Sequence, residues 1–264
     1  EETAADALQS QLLDPEARAA FKAEQRGLRR LEERAVHLLT QPAPDTSWQA
    51  AYATRRSRRT FGTAPVAPAR LSALLGVLRQ GTLDGGPKYL YPSAGGLYPV
   101  QSYLHVRTGR VAALAGGTYY YHPVEHALYA LSAEGEFDER VYDPLVNGPI
   151  ARQAAFALYL VADQGAIAPL YGAQARDFCL LEAGAMSQLL GLACEEQGIG
   201  LCPLGAVEFS WIRDLFALEE RHELVHALLG GPLDQSGAGS SAPADGLYLP
   251  LARNVADDRE EGEI

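Results

Sequence analysis

The segment from Ala175 to Ile199 reads ARDFCLLEAGAMSQLLGLACEEQGI and places apolar residues nearly all the way round a helical projection. A helix with apolar residues on every side has to be covered on every side. The sequence therefore predicts a long buried helix, and Gly198 is the residue expected to end it. Either the protein's own sheet or a second copy of the chain must supply the cover, and both remain open at this stage.

Strand patterns lie on both sides of this helix. Alternation over VQSYLHV, which begins at Val100, predicts one strand, and Thr118 to His122 with His126 to Leu131 predict a hairpin. The nearly continuous apolar run from Ala155 to Asp163 is typical of a strand covered on both faces. A further strand is expected from Leu224 to Gly231.

Helical patterns come first in the chain. Residues from Pro15 to Leu39 form a helical lead-in with Asp14 as its N-cap, Ser47 can cap a helix that runs towards Arg55, and Pro68 to Arg79 is amphipathic. Helices and strands are thus mixed without a regular strand, helix, strand repeat, which predicts the α+β class.

The domain boundaries follow from composition. We expect a helical lead-in at residues 1–45, a folded body at 46–231, and a linker-like segment with a charged tail at 232–264, where PLDQSGAGSSAPADG precedes many acidic residues.

The overall charge and the cysteine content exclude several functions. A formal net charge of −11 argues against nucleic-acid binding, which needs Lys and Arg to neutralise phosphates. Three cysteines without short ligand spacing predict neither a disulfide framework nor a metal site. No signal peptide or membrane span is visible, so we expect a cytoplasmic protein.

A basic cluster, RRSRRTF, occupies Arg55 to Phe61 and holds four arginines and a serine within five residues. Guanidinium forks grip phosphate oxygens two at a time, and a hydroxyl adds another donor. The alternative is a solvated basic face. A chain this acidic gains little solubility from a local positive cluster. This slightly favours an anion-binding site over a solvated basic face.

A second unusual stretch, KYLYPSAGGLYPVQSY, runs from Lys88 to Tyr103. The small residues from Ser93 to Gly96 let the backbone approach a flat ligand closely, and Tyr89, Tyr91 and Tyr98 can line an aromatic pocket. A plain loop before a strand is the alternative. The spacing fits neither a dinucleotide fingerprint nor a nucleotide-triphosphate loop.

Taken in order, RRSRRTF, PSAGGLYPVQSY, LLEAGAMSQLL and GIGLCPLGAV followed by HALLGG resemble the nitroreductase-like flavoprotein superfamily, over about Ala51 to Gly231. Within it the chain is similar to the FMN-dependent thiazoline and oxazoline dehydrogenases of peptide natural products. The lead-in LLDPEARAAFKAEQRGLRRL further resembles the oxidase domains associated with nonribosomal peptide synthetases.

This resemblance implies a central, mainly antiparallel sheet flanked by helices, in a homodimer with one FMN in each of two interface clefts. It implies an FMN phosphate site, a loop beside the isoalloxazine and a segment on the opposite side of the ring. These contain, respectively, Arg55, Arg56, Ser57 and Arg59; Pro92, Ser93, Ala94 and Gly95; and Leu204 and Gly205.

The resemblance also implies the chemistry. Oxidation of a thiazoline to a thiazole removes a hydride, which the flavin takes, and a proton, which a base takes. The azole-forming relatives carry an adjacent Lys-Tyr pair, matched here by Lys88 and Tyr89. An ammonium within reach would favour the tyrosine phenolate as the base, and the opposite assignment stays open.

The expected substrate is a thiazoline or oxazoline peptidyl group on the phosphopantetheine arm of a carrier protein, with other synthetase domains as partners and O2 as the electron acceptor. Three alternatives stay open: a nitro- or quinone reductase that consumes a nicotinamide donor, an azoline oxidase for ribosomally made peptides, and an inactive docking domain.

Overall fold

A computed structural model describes Gln11 and residues 14–23, 55–133 and 137–233. The remainder of the predicted lead-in helix, the helix predicted from Ser47 and nearly all of the predicted linker and tail lie outside the described residues. The chain divides into two units, Glu1–Pro44 and Asp45–Ile264.

In the first unit, helix α1 spans Pro15–Ala23. Asp14 begins it as predicted, because Asp14 Oδ2 accepts a hydrogen bond from the Ala17 amide at 2.7 Å. Its carbonyl oxygen accepts another from the Arg18 amide at 3.0 Å. The predicted N-cap is therefore confirmed.

The second unit contains four further α-helices and eight strands within the described ranges. The helices are α2 Pro68–Gly76, α3 Gly148–Ala151, α4 Gln164–Tyr171 and α5 Ala175–Ala193. The strands are β1 Gly81–Leu83, β2 Gly86–Lys88, β3 Val100–Val106, β4 Gly117–His122, β5 Ala127–Ala133, β6 Phe156–Asp163, β7 Ile199–Leu204 and β8 His222–Pro232.

Six of these strands form one sheet in the order β5-β4-β3-β6-β8-β7, and every neighbouring pair is antiparallel. Strands β1 and β2 form a separate hairpin. The predicted α+β class with a mainly antiparallel sheet is confirmed.

Strand β6 lies inside this sheet and is buried on both faces, as its continuous apolar sequence predicted. Leu158 and Leu160 face a core that contains Met186 of α5. Tyr159, which lies between them in sequence, faces a second core. The side chains alternate because successive residues of a strand point to opposite faces, so each face of the sheet carries its own core.

Helix α5 is covered on one side only. Cys179, Met186 and Leu190 are buried, whereas Leu181 is 70% exposed. The prediction of a helix buried all round is therefore wrong for a single chain, because one sheet face covers one helix face. The helix also ends at Ala193 rather than at Gly198, which lies in the following turn with φ of +62°.

Cys179, Cys194 and Cys202 are free and buried. The described residues contain no group of His, Cys, Asp and Glu side chains that could hold a metal ion. In the same part of the chain, no helix is long and apolar enough to cross a membrane.

Candidate active site

The arginine segment lies beside strands β7 and β8 and belongs to no helix or strand itself. The Arg58 amide donates to the Leu201 carbonyl at 2.8 Å, and the Gly62 amide donates to the Pro232 carbonyl at 2.9 Å. Two glycines make room for the segment. A Cβ at Gly200 would lie 2.8 Å from the Arg58 Cβ, and one at Gly231 would lie 2.8 Å from the Phe61 ring.

The four arginines of this segment have different environments. Arg58 donates from Nε and Nη2 to Glu195 Oε1, at 3.0 and 2.7 Å, in a partly buried ion pair. Arg55, Arg56 and Arg59 are exposed. The ion pair with Glu195 accounts for the lower exposure of Arg58 among the four arginines.

Arg59 also lies near the buried thiol of Cys202. Burial raises the pKa of Cys202, and the positive charge of Arg59 partly offsets this rise. Ser57, between the arginines, is half-buried. The segment that carries the predicted phosphate residues thus contacts β7, the last strand of the sheet order, through Arg58 and Arg59.

The predicted flavin loop follows β2 and contains a single 3-10 turn at Ala94–Gly96. Gly95 and Gly96 have φ of +62° and +66°, a left-handed conformation that glycine adopts without strain. A Cβ at Gly95 would lie 2.9 Å from the Tyr171 hydroxyl, whereas one at Gly96 would meet no atom within 4 Å. The loop therefore leaves open space beside its backbone at Gly96.

Ser93 and Val100, at the two ends of this loop, bind one carboxyl group of helix α5. Ser93 Oγ donates to Glu182 Oε2 at 2.5 Å, and the Val100 amide donates to Glu182 Oε1 at 3.2 Å. The Tyr98 amide donates to Ser93 Oγ at 2.8 Å.

Glu182 was not among the predicted site residues. Its side chain is 2% exposed, and burial raises its pKa to about 7, although the hydrogen bonds from Ser93 and Val100 oppose this rise. The available signal was an acidic residue at a helical spacing shared with the buried Cys179 and Met186.

The three tyrosines expected to line a pocket lie together. The ring centroids of Tyr89 and Tyr98 are 4.1 Å apart, and those of Tyr89 and Tyr91 are 5.3 Å apart. They line a cavity of about 210 Å³ that Tyr120 of β4 and Met186 of α5 also border. The cavity lies between the loop segment, the sheet and the central helix.

Lys88 is the last residue of β2, and the β1–β2 hairpin that carries it was not predicted. Its turn residues Asp84 and Gly85 have φ of +51° and +79°, and the Asp-Gly pair was the sequence signal for it. Lys88 is exposed, whereas the next residue, Tyr89, is buried. Tyr89 Oη donates to Gln80 Oε1 at 3.0 Å.

The pKa of Tyr89 is raised above its ordinary value, first by burial and then by the neighbouring Tyr120, Tyr98 and Glu182. The expected phenolate requires a pKa shift in the opposite direction. The assignment of Tyr89 as the base therefore stays a prediction, and so does the opposite assignment to Lys88.

The segment predicted to approach the other side of a flavin lies at the end of β7. Leu204 is buried and ends the strand, and Gly205 is exposed. A Cβ at Gly205 would meet no atom within 4 Å. Open backbone at Gly205 and Gly96, together with exposed guanidinium groups, fits the flat ring and the phosphate of FMN.

Comparison with known proteins identifies the family to which this fold and these residues belong. Residues 52–231 match the nitroreductase family. The chain belongs to the nitroreductase family. Members of this family are typically flavin-dependent oxidoreductases that use FMN.

Two curated relatives are similar in sequence to this nitroreductase-family chain. Indigoidine synthase of Dickeya dadantii is 30% identical over 124 residues, which are 46% of this chain and 7% of the synthase. The putative nitroreductase MJ1384 of Methanocaldococcus jannaschii is 27% identical over 170 residues, which are 63% of this chain and 82% of that protein. The chain thus matches only a small part of the synthase.

Two solved structures share the nitroreductase fold. A chain of the Escherichia coli microcin synthetase McbBCD complex, with truncated pro-MccB17 bound, has a TM-score of 0.61 at 17% identity, covering 81% of this chain and 82% of that one. A putative nitroreductase of Ralstonia eutropha has a TM-score of 0.57 at 23% identity, covering 73% and 88%. At these identities the likeness shows the fold alone.

Proposed function

We propose that the chain is an FMN-dependent oxidase that converts a peptidyl thiazoline or oxazoline to the aromatic azole. Its substrate is carried on the phosphopantetheine arm of a nonribosomal peptide synthetase carrier protein, and O2 reoxidises the flavin. The observation that carries this proposal is the position of Tyr89. It follows Lys88 directly, lines the tyrosine cavity and precedes the open glycine loop of a nitroreductase-family chain.

FMN binding would use the three groups of residues that the sequence predicted. Arg55, Arg56, Ser57 and Arg59 would bind the phosphate; Pro92, Ser93, Ala94 and Gly95 would lie along the ring, and Leu204 and Gly205 on its other side. The bound flavin supplies a two-electron acceptor. The cavity beside the loop gives a small heterocycle a wall rich in tyrosine rings, with polar groups among them.

The azoline ring loses a hydride to the flavin and a proton to a base of this chain. Because the raised pKa of Tyr89 keeps its hydroxyl protonated near neutral pH, Tyr89 can act as the base only after it has lost this proton to solvent. The Lys88 ammonium, drawn close, would stabilise the resulting phenolate, which then accepts the proton of the azoline ring. Lys88 is exposed at the end of a short hairpin, a place from which its flexible side chain can reach inward.

The exposed face of α5 supports a homodimer with FMN in its interface clefts. Leu181 is 70% exposed and Leu170 of α4 is 65% exposed. Leu170 lies against the loop, with Cδ2 3.4 Å from where a Gly95 Cβ would be. Apolar side chains beside a candidate site mark an interaction surface, and a second copy would cover them.

A biosynthetic setting agrees with the names of two similar proteins. One is a synthase of which this chain matches a small part, and the other is a synthetase complex with truncated pro-MccB17 bound. Both are biosynthetic proteins by name, and the carrier protein is our extension of that setting to this chain.

The visible spectrum of the purified protein, before and after incubation with FMN, is the first test. We expect flavin bands that remain after gel filtration, and a preparation that takes up no FMN would support an inactive docking domain instead. An aerobic assay then compares a thiazoline peptide on a phosphopantetheinylated carrier with the same peptide free. Azole and hydrogen peroxide should form in equal amounts from the carrier-bound form, whereas preference for the free peptide would contradict the carrier.

A nitro- or quinone reductase is the second candidate, because the match to the putative nitroreductase MJ1384 covers 82% of that protein. Anaerobic addition of NADPH separates the two functions. Rapid bleaching of the flavin would favour the reductase, whereas a flavin that only the azoline substrate bleaches would favour the oxidase.

A further inference from the structure

One buried carboxyl group holds both ends of the loop that precedes β3. Glu182 Oε2 accepts from Ser93 Oγ at 2.5 Å, and Glu182 Oε1 accepts from the Val100 amide at 3.2 Å. Glu182 lies on the face of α5 that packs against the core, and its side chain is 2% exposed. Both of its oxygens therefore bind the loop.

The backbone of this loop needs such support. Besides Gly95 and Gly96, Tyr98 has a φ of +50°, which is unfavourable for a residue with a bulky side chain. Such a conformation persists where surrounding contacts hold it. The Tyr98 amide donates to Ser93 Oγ at 2.8 Å, so a chain of hydrogen bonds runs from Tyr98 through Ser93 to Glu182.

We propose that Glu182 is a positioning residue, which fixes the loop from Ser93 to Val100 in the shape that receives the flavin. This inference rests on the proposed function. A short apolar side chain at position 182 would leave the Ser93 hydroxyl and the Val100 amide without their partner, and the left-handed Tyr98 without its anchor.

Proton uptake by Glu182 changes what Ser93 can offer. The ionised carboxylate accepts a hydrogen bond from the Ser93 hydroxyl group. The protonated carboxyl group can instead donate to Ser93 Oγ, which has two lone pairs and can still accept from the Tyr98 amide. The Ser93 hydroxyl proton is then available to a ligand. Both states hold the loop, and the protonated state adds one hydrogen-bond donor beside the flavin.

The surroundings of Glu182 permit this change near neutral pH. Within the described part of the chain, the titratable groups that interact with it are Tyr89 and Tyr91, from the segment before the loop, and Cys179 on its own helix, and none of these three carries a positive charge. Burial without a cation favours the neutral carboxyl group, in agreement with its pKa of about 7.

Amide hydrogen exchange of the full chain tests the tether without any flavin. Glu182→Ala should speed exchange at Tyr98 and Val100 about tenfold, the effect of one lost hydrogen bond. Glu182→Gln should stay within about threefold of the parent protein, because its amide can donate to Ser93 and its carbonyl can accept from Val100. Glu196→Gln removes a similar charge at an exposed position and is the matched control.

FMN titration over about pH 6 to 8.5 tests the link to the flavin. We expect affinity for FMN to fall about tenfold in Glu182→Ala. The affinity of the parent protein should vary with pH around neutrality, and that of Glu182→Gln should vary much less. Equal FMN affinity in Glu182→Ala and the parent, or unchanged exchange at Tyr98 and Val100, would overturn the proposal.

Two further outcomes are possible: Glu182→Ala does not fold, or the parent protein binds no FMN. If Glu182→Ala does not fold, the test uses Glu182→Gln. An FMN affinity that varies with pH in Glu182→Gln as it does in the parent protein would overturn the proposal. If the parent protein binds no FMN while its loop loses protection in Glu182→Ala, the proposed function fails and the tether itself stands.

Discussion

The guanidinium group of Arg58 donates twice to the same carboxylate oxygen of Glu195, at 3.0 and 2.7 Å. The two residues are 137 positions apart in sequence. Their ion pair connects the arginine segment to the turn that follows α5. One arginine of the cluster therefore holds the segment in place, whereas Arg55 and Arg59 are exposed.

Substitutions within the arginine cluster should separate these two roles. Arg59→Ala should weaken FMN binding about tenfold or more, because it removes a charged donor to the phosphate, and should leave the free energy of unfolding nearly unchanged. Arg58→Ala should lower the free energy of unfolding by about 1 to 2 kcal/mol, because it leaves a partly buried carboxylate without its partner. Flavin fluorescence titration and urea denaturation measure the two quantities. An Arg58→Ala protein as stable as the parent would contradict the anchoring role.

The stability of the protein should depend on pH through Glu182. Its pKa rises from 4.5 to about 7 on folding, so the folded state holds the proton over a range where the unfolded state has lost it. Stability from this group is complete below the unfolded pKa and is lost as the pH rises through about 7. The Glu182→Gln variant does not lose stability in this way, because a glutamine side chain does not ionise.

Urea denaturation at about pH 5.5 and pH 8 tests this difference. Between these values the parent protein should lose roughly 2 kcal/mol relative to Glu182→Gln. Glu196→Gln should follow the parent protein at both pH values, because its carboxyl group is exposed. Parallel curves for the parent protein and Glu182→Gln would contradict the raised pKa.

Lys88 and Tyr89 should be needed for azole formation and not for FMN binding. Lys88→Met and Tyr89→Phe should each lower the rate of azole formation about 100-fold, the size of a general-base contribution. Tyr89→Phe should also cost about 1 kcal/mol of stability through its lost hydrogen bond to Gln80. Tyr129→Phe, at an exposed tyrosine, is the control. Full activity of both variants with FMN bound would exclude the pair as the proton-transfer residues.

Charge on the exposed face of α5 should break the proposed homodimer. Leu181→Glu should shift the mass measured by light scattering from dimer to monomer, because burial of an unpaired carboxylate in an apolar interface is costly. Leu145→Glu, at another exposed leucine, should leave the mass unchanged. A monomeric parent protein, or a dimer that tolerates Leu181→Glu, would argue against this interface.

Local sequence patterns were sufficient for the elements whose signals lie within a few residues. Asp14 before Pro15 predicted an N-cap, and the apolar run of β6 predicted a strand covered on both faces. The β1–β2 hairpin was not predicted, although the Asp84-Gly85 pair is typical of a hairpin turn. Each of its strands has only three residues, which is too short for a recognisable alternation.

Among the site residues, contacts between sequence neighbours were predicted and contacts between distant residues were not. The tyrosines of the loop were predicted to form a pocket and do lie together, since they are close in sequence. Glu182 and the Arg58 to Glu195 pair were not predicted, because their partners are 89 and 137 positions away. The direction of the Tyr89 pKa shift also required knowledge of its burial.

The sequence by itself determined the α+β class, the helices α2 and α5, the strands β3, β4, β5, β6 and β8, and the segments that match the nitroreductase family, because periodicity and residue type are local properties. It did not predict the short elements β1, β2, α3 and α4 or the strand β7. The tertiary structure alone decided which face of α5 is covered, which arginine is used internally, and that one buried carboxyl group binds both ends of the loop. These depend on long-range packing, which sets burial and hydrogen-bond partners and therefore the charge state of each group.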